Sequence, residues 1–142
     1  MQKRGSMNAY IFTMSKTMQY TKAKLSIVYV SLWFVFVFAL CSFPGNQIPN
    51  FEFLNQISFD KIIHLGMFAV QMVLVQRALY LNNFSINIYI IPIAELLIVW
   101  GITLEYMQTV FFINRFGEWV DAIANSLGVI IGGFIAHKLY TK

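Results

Sequence analysis

Residues 114–133 read "NRFGEWVDAIANSLGVIIGG". From Trp119 onward this stretch is apolar enough to cross a bilayer, yet it carries Glu118, Asp121 and Asn125 near its start. A carboxylate in the middle of a membrane span costs about 2.5–3.5 kcal/mol even on insertion scales, so its side chain is expected to face protein or water. The stretch therefore predicts a transmembrane helix that packs with others and turns its polar side chains away from lipid.

The composition of the whole chain agrees with a membrane protein. The 142 residues are 58% hydrophobic and only 11% charged, with a mean hydropathy of +0.66. Soluble domains of this size carry about 25% charged residues, so lipid is the expected solvent for most of the surface. Two histidines and one cysteine exclude a disulfide framework and a cysteine-rich metal site.

Four apolar segments are long enough to span a bilayer, which requires about 20 residues each. The first, third and fourth predicted helices cover residues 25–43, 88–112 and 119–137. The second starts near Asp60 or Ile62 and ends at Leu81. The segments are separated by stretches that are polar or contain Pro and Gly. The first of these stretches covers residues 44–60. The predicted fold class is therefore an all-α membrane protein with four transmembrane helices.

The distribution of Lys and Arg predicts the orientation. Residues 1–24 contain five basic residues and no acidic one, and Arg77 lies near the same end of the bundle. The opposite loops offer only Lys61 and Arg115. By the positive-inside rule both termini are expected in the cytoplasm, and the net charge of +4 is interpreted as a topology signal rather than nucleic-acid binding. The predicted organisation is a basic cytoplasmic tail (1–24), a transmembrane domain (25–137) and a short cytoplasmic tail (138–142).

Polar and small residues recur at helical spacing in three of the four segments. Residues three or four apart share a helix face, and three such sets occur: Asp60 and His64; Gly101, Glu105 and Gln108; Asp121, Asn125, Gly128 and Gly132. Because lipid disfavours outward polar stripes, the three faces are expected to meet in a cluster at the extracytoplasmic end. Gly101, Gly128 and Gly132 are predicted helix-packing positions, since small residues let backbones approach closely.

These motifs resemble those of the VanZ-like family of small bacterial membrane proteins. The resemblance rests on D-K-x-x-H at residues 60–64, E-x-x-Q at 105–108 and R-x5-D-x3-N-x2-G-x3-G at 115–132, and it covers about residues 25–137. It implies a four-helix, multi-pass protein of the bacterial cytoplasmic membrane. The family is named for a protein associated with low-level resistance to teicoplanin, and the name supplies no biochemical activity.

Three hypotheses about function follow from the expected cluster, whose members are Asp60, Lys61, His64, Glu105, Gln108, Arg115, Asp121 and Asn125. In the first, the cluster binds or modifies an envelope component such as a cell-wall or lipid-linked precursor, or a glycopeptide. Arg115 and Lys61 would hold an anionic group, and His64 beside a carboxylate would move a proton.

In the second hypothesis the cluster only braces the bundle, and the protein is a structural or interaction subunit. The expected contacts are Asp121–Arg115, Glu105–His64 and Asn125–Gln108, which would fix the register of the helices without chemistry. Proton or ion translocation is the third and weakest hypothesis. It needs polar groups through the full thickness of the membrane, and Glu95 lies off the Glu105 face.

No cofactor and no metal is expected. His64 with Asp60, Glu105 and Asp121 could supply one nitrogen and several oxygens, but zinc sites usually draw on more His or Cys ligands. Membrane lipid is the expected partner and nucleic acid is not. Catalysis is left open, as is the oligomeric state, because Gly128-x-x-x-Gly132 could serve contacts within or between protomers.

Overall fold

The computed structural model describes residues 2–44, 59–113 and 116–141, and in these residues the chain forms four α-helices. They are α1 (Gln2–Ser42), α2 (Phe59–Leu81), α3 (Ile86–Phe111) and α4 (Trp119–Tyr140). Each is long and apolar enough to cross a membrane. The prediction of an all-helical chain with four spans is therefore confirmed.

The bounds of α2, α3 and α4 agree closely with the predicted segments, but α1 is much longer than the predicted span of 25–43. It begins at Gln2 and runs without a break through the basic segment. Between Gln2 and Leu25 the sequence has no proline and only one glycine, so nothing in it stops the helix. Most of the predicted loop of residues 44–60 lies outside the described residues.

Successive helices run in opposite directions. Trp33 Nε1 of α1 donates a hydrogen bond to the Met67 carbonyl oxygen of α2 at 3.1 Å. Just after the C-terminal end of α2, Asn82 Nδ2 lies 3.5 Å from the Ala23 carbonyl oxygen of α1. At the other end, Gln108 Nε2 of α3 donates to the carbonyl oxygen of Cys41 at 3.0 Å. The C-terminal ends of α1 and α3 therefore lie beside the N-terminal ends of α2 and α4, and we call this end of the bundle the polar end.

Helices α2 and α4 run parallel to each other and touch through their backbones. Gly128 and Gly132 of α4 face Leu65 and Ala69 of α2. A Cβ atom placed on Gly128 would overlap the Leu65 carbonyl oxygen and lie 3.1 Å from the backbone nitrogen of Ala69. A Cβ on Gly132 would likewise overlap the Ala69 carbonyl oxygen. The glycines thus permit an approach that any side chain would prevent, as small-xxx-small motifs do in membrane bundles.

Gly101 has the same role on α3, where a Cβ would lie 3.0 Å from the Asn125 Cβ and 3.1 Å from the Phe68 ring. The apolar core between the helices consists of Val37, Cys41, Met67, Phe68, Met72, Leu97, Leu104 and Val129. Large apolar side chains such as Leu32, Val99 and Phe134 point outward instead. An apolar exterior around a partly polar interior is the arrangement expected when lipid surrounds the bundle.

Candidate functional site

Side chains from α2, α3 and α4 meet at the polar end of the bundle. His64, Glu105, Asp121 and Asn125 are buried, although three of them are ionisable. Lys61 is partly exposed, and Asp60 and Glu118 lie exposed at the rim. We call this set the polar cluster; its described members are Asp60, Lys61, His64, Glu105, Glu118, Asp121 and Asn125.

Asn125 joins the three helices at the centre of the polar cluster. Its Nδ2 donates to Glu105 Oε1 at 3.2 Å, and its Oδ1 lies 3.1 Å from His64 Nδ1. An amide oxygen only accepts hydrogen bonds, so the contact with Asn125 Oδ1 requires a proton on His64 Nδ1. His64 therefore carries a proton on Nδ1 and donates it to Asn125. The same Nδ1 lies 3.4 Å from Glu105 Oε1.

The second oxygen of the Glu105 carboxylate is bound by main chain. The backbone N–H of Glu118 donates to Glu105 Oε2 at 3.3 Å. Glu118 is the residue that immediately precedes α4. The first N–H groups of a helix and its N-cap lack partners within the helix, so a carboxylate placed there satisfies one of them. The C-terminal part of α3 is thus held against the start of α4.

Lys61 forms the outer part of the polar cluster. Its Nζ lies 3.0 Å from Glu118 Oε2 and 3.3 Å from Asp121 Oδ1. Asp121 Oδ1 is buried and accepts no hydrogen bond from any described residue, so the attraction of the Lys61 ammonium is its main compensation. Asp60 Oδ1 lies 3.7 Å from His64 Nε2, which is beyond hydrogen-bonding distance.

Acidic groups outnumber basic ones in the described part of the polar cluster. Four carboxylates, from Asp60, Glu105, Glu118 and Asp121, face a single ammonium group, that of Lys61, and one histidine. With His64 neutral, as its bond to Asn125 allows, the formal charge is −3 (four negative charges and one positive). Two of these carboxylates, those of Glu105 and Asp121, are buried, so the described part of this end favours cations and hydrogen-bond donors.

Six of the eight residues predicted for the site come together in the structure: Asp60, Lys61, His64, Glu105, Asp121 and Asn125. The expected Glu105–His64 contact is present at 3.4 Å. Arg115, and with it the expected Asp121–Arg115 contact, lies outside the described residues.

The expected contact between Asn125 and Gln108 was wrong. Gln108 is buried, but its Nε2 donates to the Cys41 carbonyl oxygen of α1, while Asn125 binds Glu105 and His64. Three residues along a helix turn the side chain by about 300°, so Gln108 points about 60° away from Glu105. That rotation directs it to a different neighbouring helix.

Glu118 belongs to the site and was not among the predicted site residues. Its side chain binds Lys61, and its backbone N–H binds Glu105. The signal in the sequence was its position directly before the apolar segment, three residues ahead of Asp121, where acidic residues interact favourably with a helix N-terminus.

Below the polar cluster the polar groups are discontinuous. Gln71 of α2 is buried, about 10 Å along the helix axis from His64, and its side-chain amide has no hydrogen-bond partner among the described residues. Glu95 of α3 is exposed on the outer surface, in an apolar groove that also includes His137. These groups do not form a connected chain of ionisable steps with the polar cluster.

The fold and the site together define a multi-pass helical membrane protein with a buried, acidic polar cluster at one end. No protein family described by a sequence profile, no curated protein and no solved structure matches the chain.

Proposed function

We propose that the chain is a VanZ-like integral membrane protein of the bacterial cytoplasmic membrane that binds a component of the cell envelope at its polar cluster. Both termini lie in the cytoplasm in this proposal, and the polar end faces outward. Support for the orientation comes from the concentration of Lys and Arg in residues 1–24 and from the sparsely basic opposite loops. A link to teicoplanin resistance is part of the proposal and comes from the resemblance in sequence motifs.

One observation carries the binding role, namely that the buried Asp121 carboxylate has Lys61 as an ion-pair partner but no hydrogen bond to its Oδ1 from a described residue. Asp121 Oδ1 accepts no hydrogen bond from a described residue, and His64 Nε2 lies beyond hydrogen-bonding distance of Asp60. A cluster that only fixed helix register would be expected to satisfy its buried groups, since each unsatisfied one costs about 1–3 kcal/mol. Ionisable residues inside a membrane are rare, and they commonly mark functional sites.

The charge of the polar cluster indicates which part of an envelope component it would contact. Lys61 is already held between Glu118 and Asp121, so it is not free to bind an anion. Excess carboxylates instead favour hydroxyl and ammonium groups, which glycans, peptides and lipid head groups carry. Among the side chains predicted for the site, Arg115 is the one left to bind an anionic group.

A structural role is the second candidate, and Asn125 favours it. This one side chain binds Glu105 of α3 and His64 of α2 from its own position on α4. Such contacts contribute about 0.6 kcal/mol each on average in membrane proteins. In this case the protein would serve as a subunit or partner of other envelope proteins, and the polar cluster would only hold its helices in register.

Isosteric substitutions separate the two candidates. Glu105→Gln and Asp121→Asn remove charge while keeping shape, and Glu95→Gln makes the same change on α3 outside the polar cluster. Each variant is expressed in a bacterial host, and susceptibility to teicoplanin and vancomycin is compared with and without the protein. Membrane abundance and melting temperature are measured in parallel.

We expect the two cluster variants to reach normal membrane levels and melting temperatures but to lose the effect on teicoplanin susceptibility, whereas Glu95→Gln retains it. Loss of folded protein in both cluster variants would support the structural role instead. A wild-type protein that leaves the susceptibility profile unchanged would remove the resistance link. Arg115→Ala extends the same comparison to the loop before α4.

A further inference from the structure

We propose that Asp60, His64 and Asp121 form a binding site for a first-row divalent metal ion, with Zn²⁺ and Mn²⁺ as the test ions. One potential ligand atom from each of the three residues lies within 4.8 Å of the other two. His64 and Asp121 are buried, and Asp60 is exposed at the rim. The sequence led to the opposite expectation because zinc sites usually draw on more His or Cys ligands than this cluster offers.

One of the three distances is close to that of a metal site, and the other two are within 4.8 Å. Zinc lies about 2.0–2.2 Å from nitrogen and oxygen ligands, which puts neighbouring ligands of a tetrahedral site about 3.4 Å apart. His64 Nε2 and Asp60 Oδ1 are 3.7 Å apart. The Asp60 side chain is 56% exposed, so it can rotate toward an ion without moving the backbone of α2.

The surroundings of His64 are those of a metal-bound histidine. Its Nδ1–H donates to Asn125 Oδ1 at 3.1 Å, with Glu105 Oε1 at 3.4 Å. Metal-binding histidines almost always donate their second ring N–H to a carboxylate or carbonyl oxygen, which fixes the tautomer. Here that tautomer leaves a lone pair on Nε2, 3.7 Å from Asp60 Oδ1. A lone pair and a carboxylate repel each other, and a cation between them removes the repulsion.

Asp121 supplies an independent indication of a ligand. Its side chain is 94% buried (6% exposed), and its Oδ1 accepts no hydrogen bond from a described residue. Lys61 Nζ is 3.3 Å away but is shared with Glu118, whose side chain is 58% exposed. When an ion binds, the ammonium group keeps its partner Glu118, and the carboxylate of Asp121 becomes a ligand.

Three protein ligands leave at least one coordination position for water or an anion, as in zinc sites that keep an open position. An anionic group of an envelope component would bind there; this step rests on the proposed function, whereas the metal site does not. Carboxylate and imidazole together suit ions of the Mn²⁺-to-Zn²⁺ series.

Metal binding is tested on the full-length protein in detergent, prepared without a polyhistidine tag and stripped with a chelator. Zn²⁺ or Mn²⁺ is titrated, the bound metal is determined by elemental analysis, and the melting temperature is recorded. We expect one ion per chain and a rise in melting temperature, because a ligand that binds the folded state stabilises it. Asp60→Asn and His64→Gln should each weaken binding by at least about 10-fold, and Asn125→Ala by about 10- to 100-fold.

His137→Gln and Glu95→Gln are the matched controls, since they remove a histidine and a carboxylate outside the polar cluster, and they should leave binding unchanged. If His64→Gln does not fold, Asp60→Asn still tests the metal site, because Asp60 is exposed at the rim. Wild-type protein that retains less than about half an ion per chain, or Asp60→Asn binding as tightly as wild type, would overturn the proposal. Absent metal binding combined with a Glu105-dependent teicoplanin phenotype would overturn the metal site and leave the proposed function standing.

Discussion

Replacing Gly128 with alanine should separate α2 from α4. The new Cβ would overlap the Leu65 carbonyl oxygen and lie 3.0 Å from its carbonyl carbon. Both atoms belong to backbone within α2, so neither can rotate away and the helices must move apart by roughly 1 Å. A gap of that size loses about a quarter to a half of the dispersion attraction between facing atoms.

The expected change in the free energy of unfolding follows from two opposing effects. Overpacking of this kind costs about 1–3 kcal/mol. Alanine in place of glycine within a helix stabilises the helix by about 0.5–1 kcal/mol. Gly128→Ala should therefore destabilise the protein by up to about 2.5 kcal/mol.

Two other glycines provide controls for the same substitution. A Cβ on Gly66 of α2 would meet nothing within 4 Å, so Gly66→Ala should stabilise the helix by about 0.5–1 kcal/mol. A Cβ on Gly133 would lie 3.4 Å from the Cε of Met72, the end of a flexible side chain, and Gly133→Ala should fall between the two. The three variants differ only in what faces the added methyl group.

Reversible unfolding in detergent mixtures, or thermal melting in one detergent, measures the series. The expected order of stability is Gly66→Ala, then Gly133→Ala, then Gly128→Ala. Equal stability of Gly128→Ala and Gly66→Ala would refute the close contact between α2 and α4.

Two further substitutions test the contacts around the bundle. Trp33→Phe removes the hydrogen bond from α1 to the Met67 carbonyl oxygen and should cost about 0.5–1.5 kcal/mol, measured by the same unfolding assay; a stability equal to wild type would contradict it. Lys61→Met leaves the buried Asp121 carboxylate without its ammonium partner and should cost more than about 1 kcal/mol, whereas Glu118→Gln removes a partner at the exposed rim and should cost about 0.2–1 kcal/mol. Equal losses in the last two variants would show that Asp121 does not depend on Lys61.

Helices α2, α3 and α4 could be predicted because each is a long apolar run bounded by polar or turn-forming residues. The extent of α1 could not be predicted in this way. Hydropathy marks where a helix can meet lipid, and it says nothing about whether the helix continues beyond the lipid. In residues 2–24 the relevant signal was the near absence of helix breakers.

The meeting of His64, Glu105 and Asn125 could be predicted from spacing, because residues on one buried face of each helix must turn toward the other helices. Spacing does not show which neighbour a side chain reaches, and this is why the partner of Gln108 was missed. The ion pair of Lys61 with Glu118 joins residues 57 positions apart. It depends on which faces of α2 and α4 pack against each other, which the spacing within one helix does not encode.

The length of α1 limits how its positive charges can act. With 41 residues the helix is about 60 Å long, twice the thickness of a hydrocarbon core. Ala23 is packed against Asn82 at the end of the bundle, so Gln2 begins about 30 Å farther along the axis. Electrostatic attraction to lipid phosphates fades over about 8 Å in physiological salt. A straight α1 therefore holds Lys22 and Lys24 beside the end of the bundle, whereas the charges of its first turn lie about 30 Å beyond it.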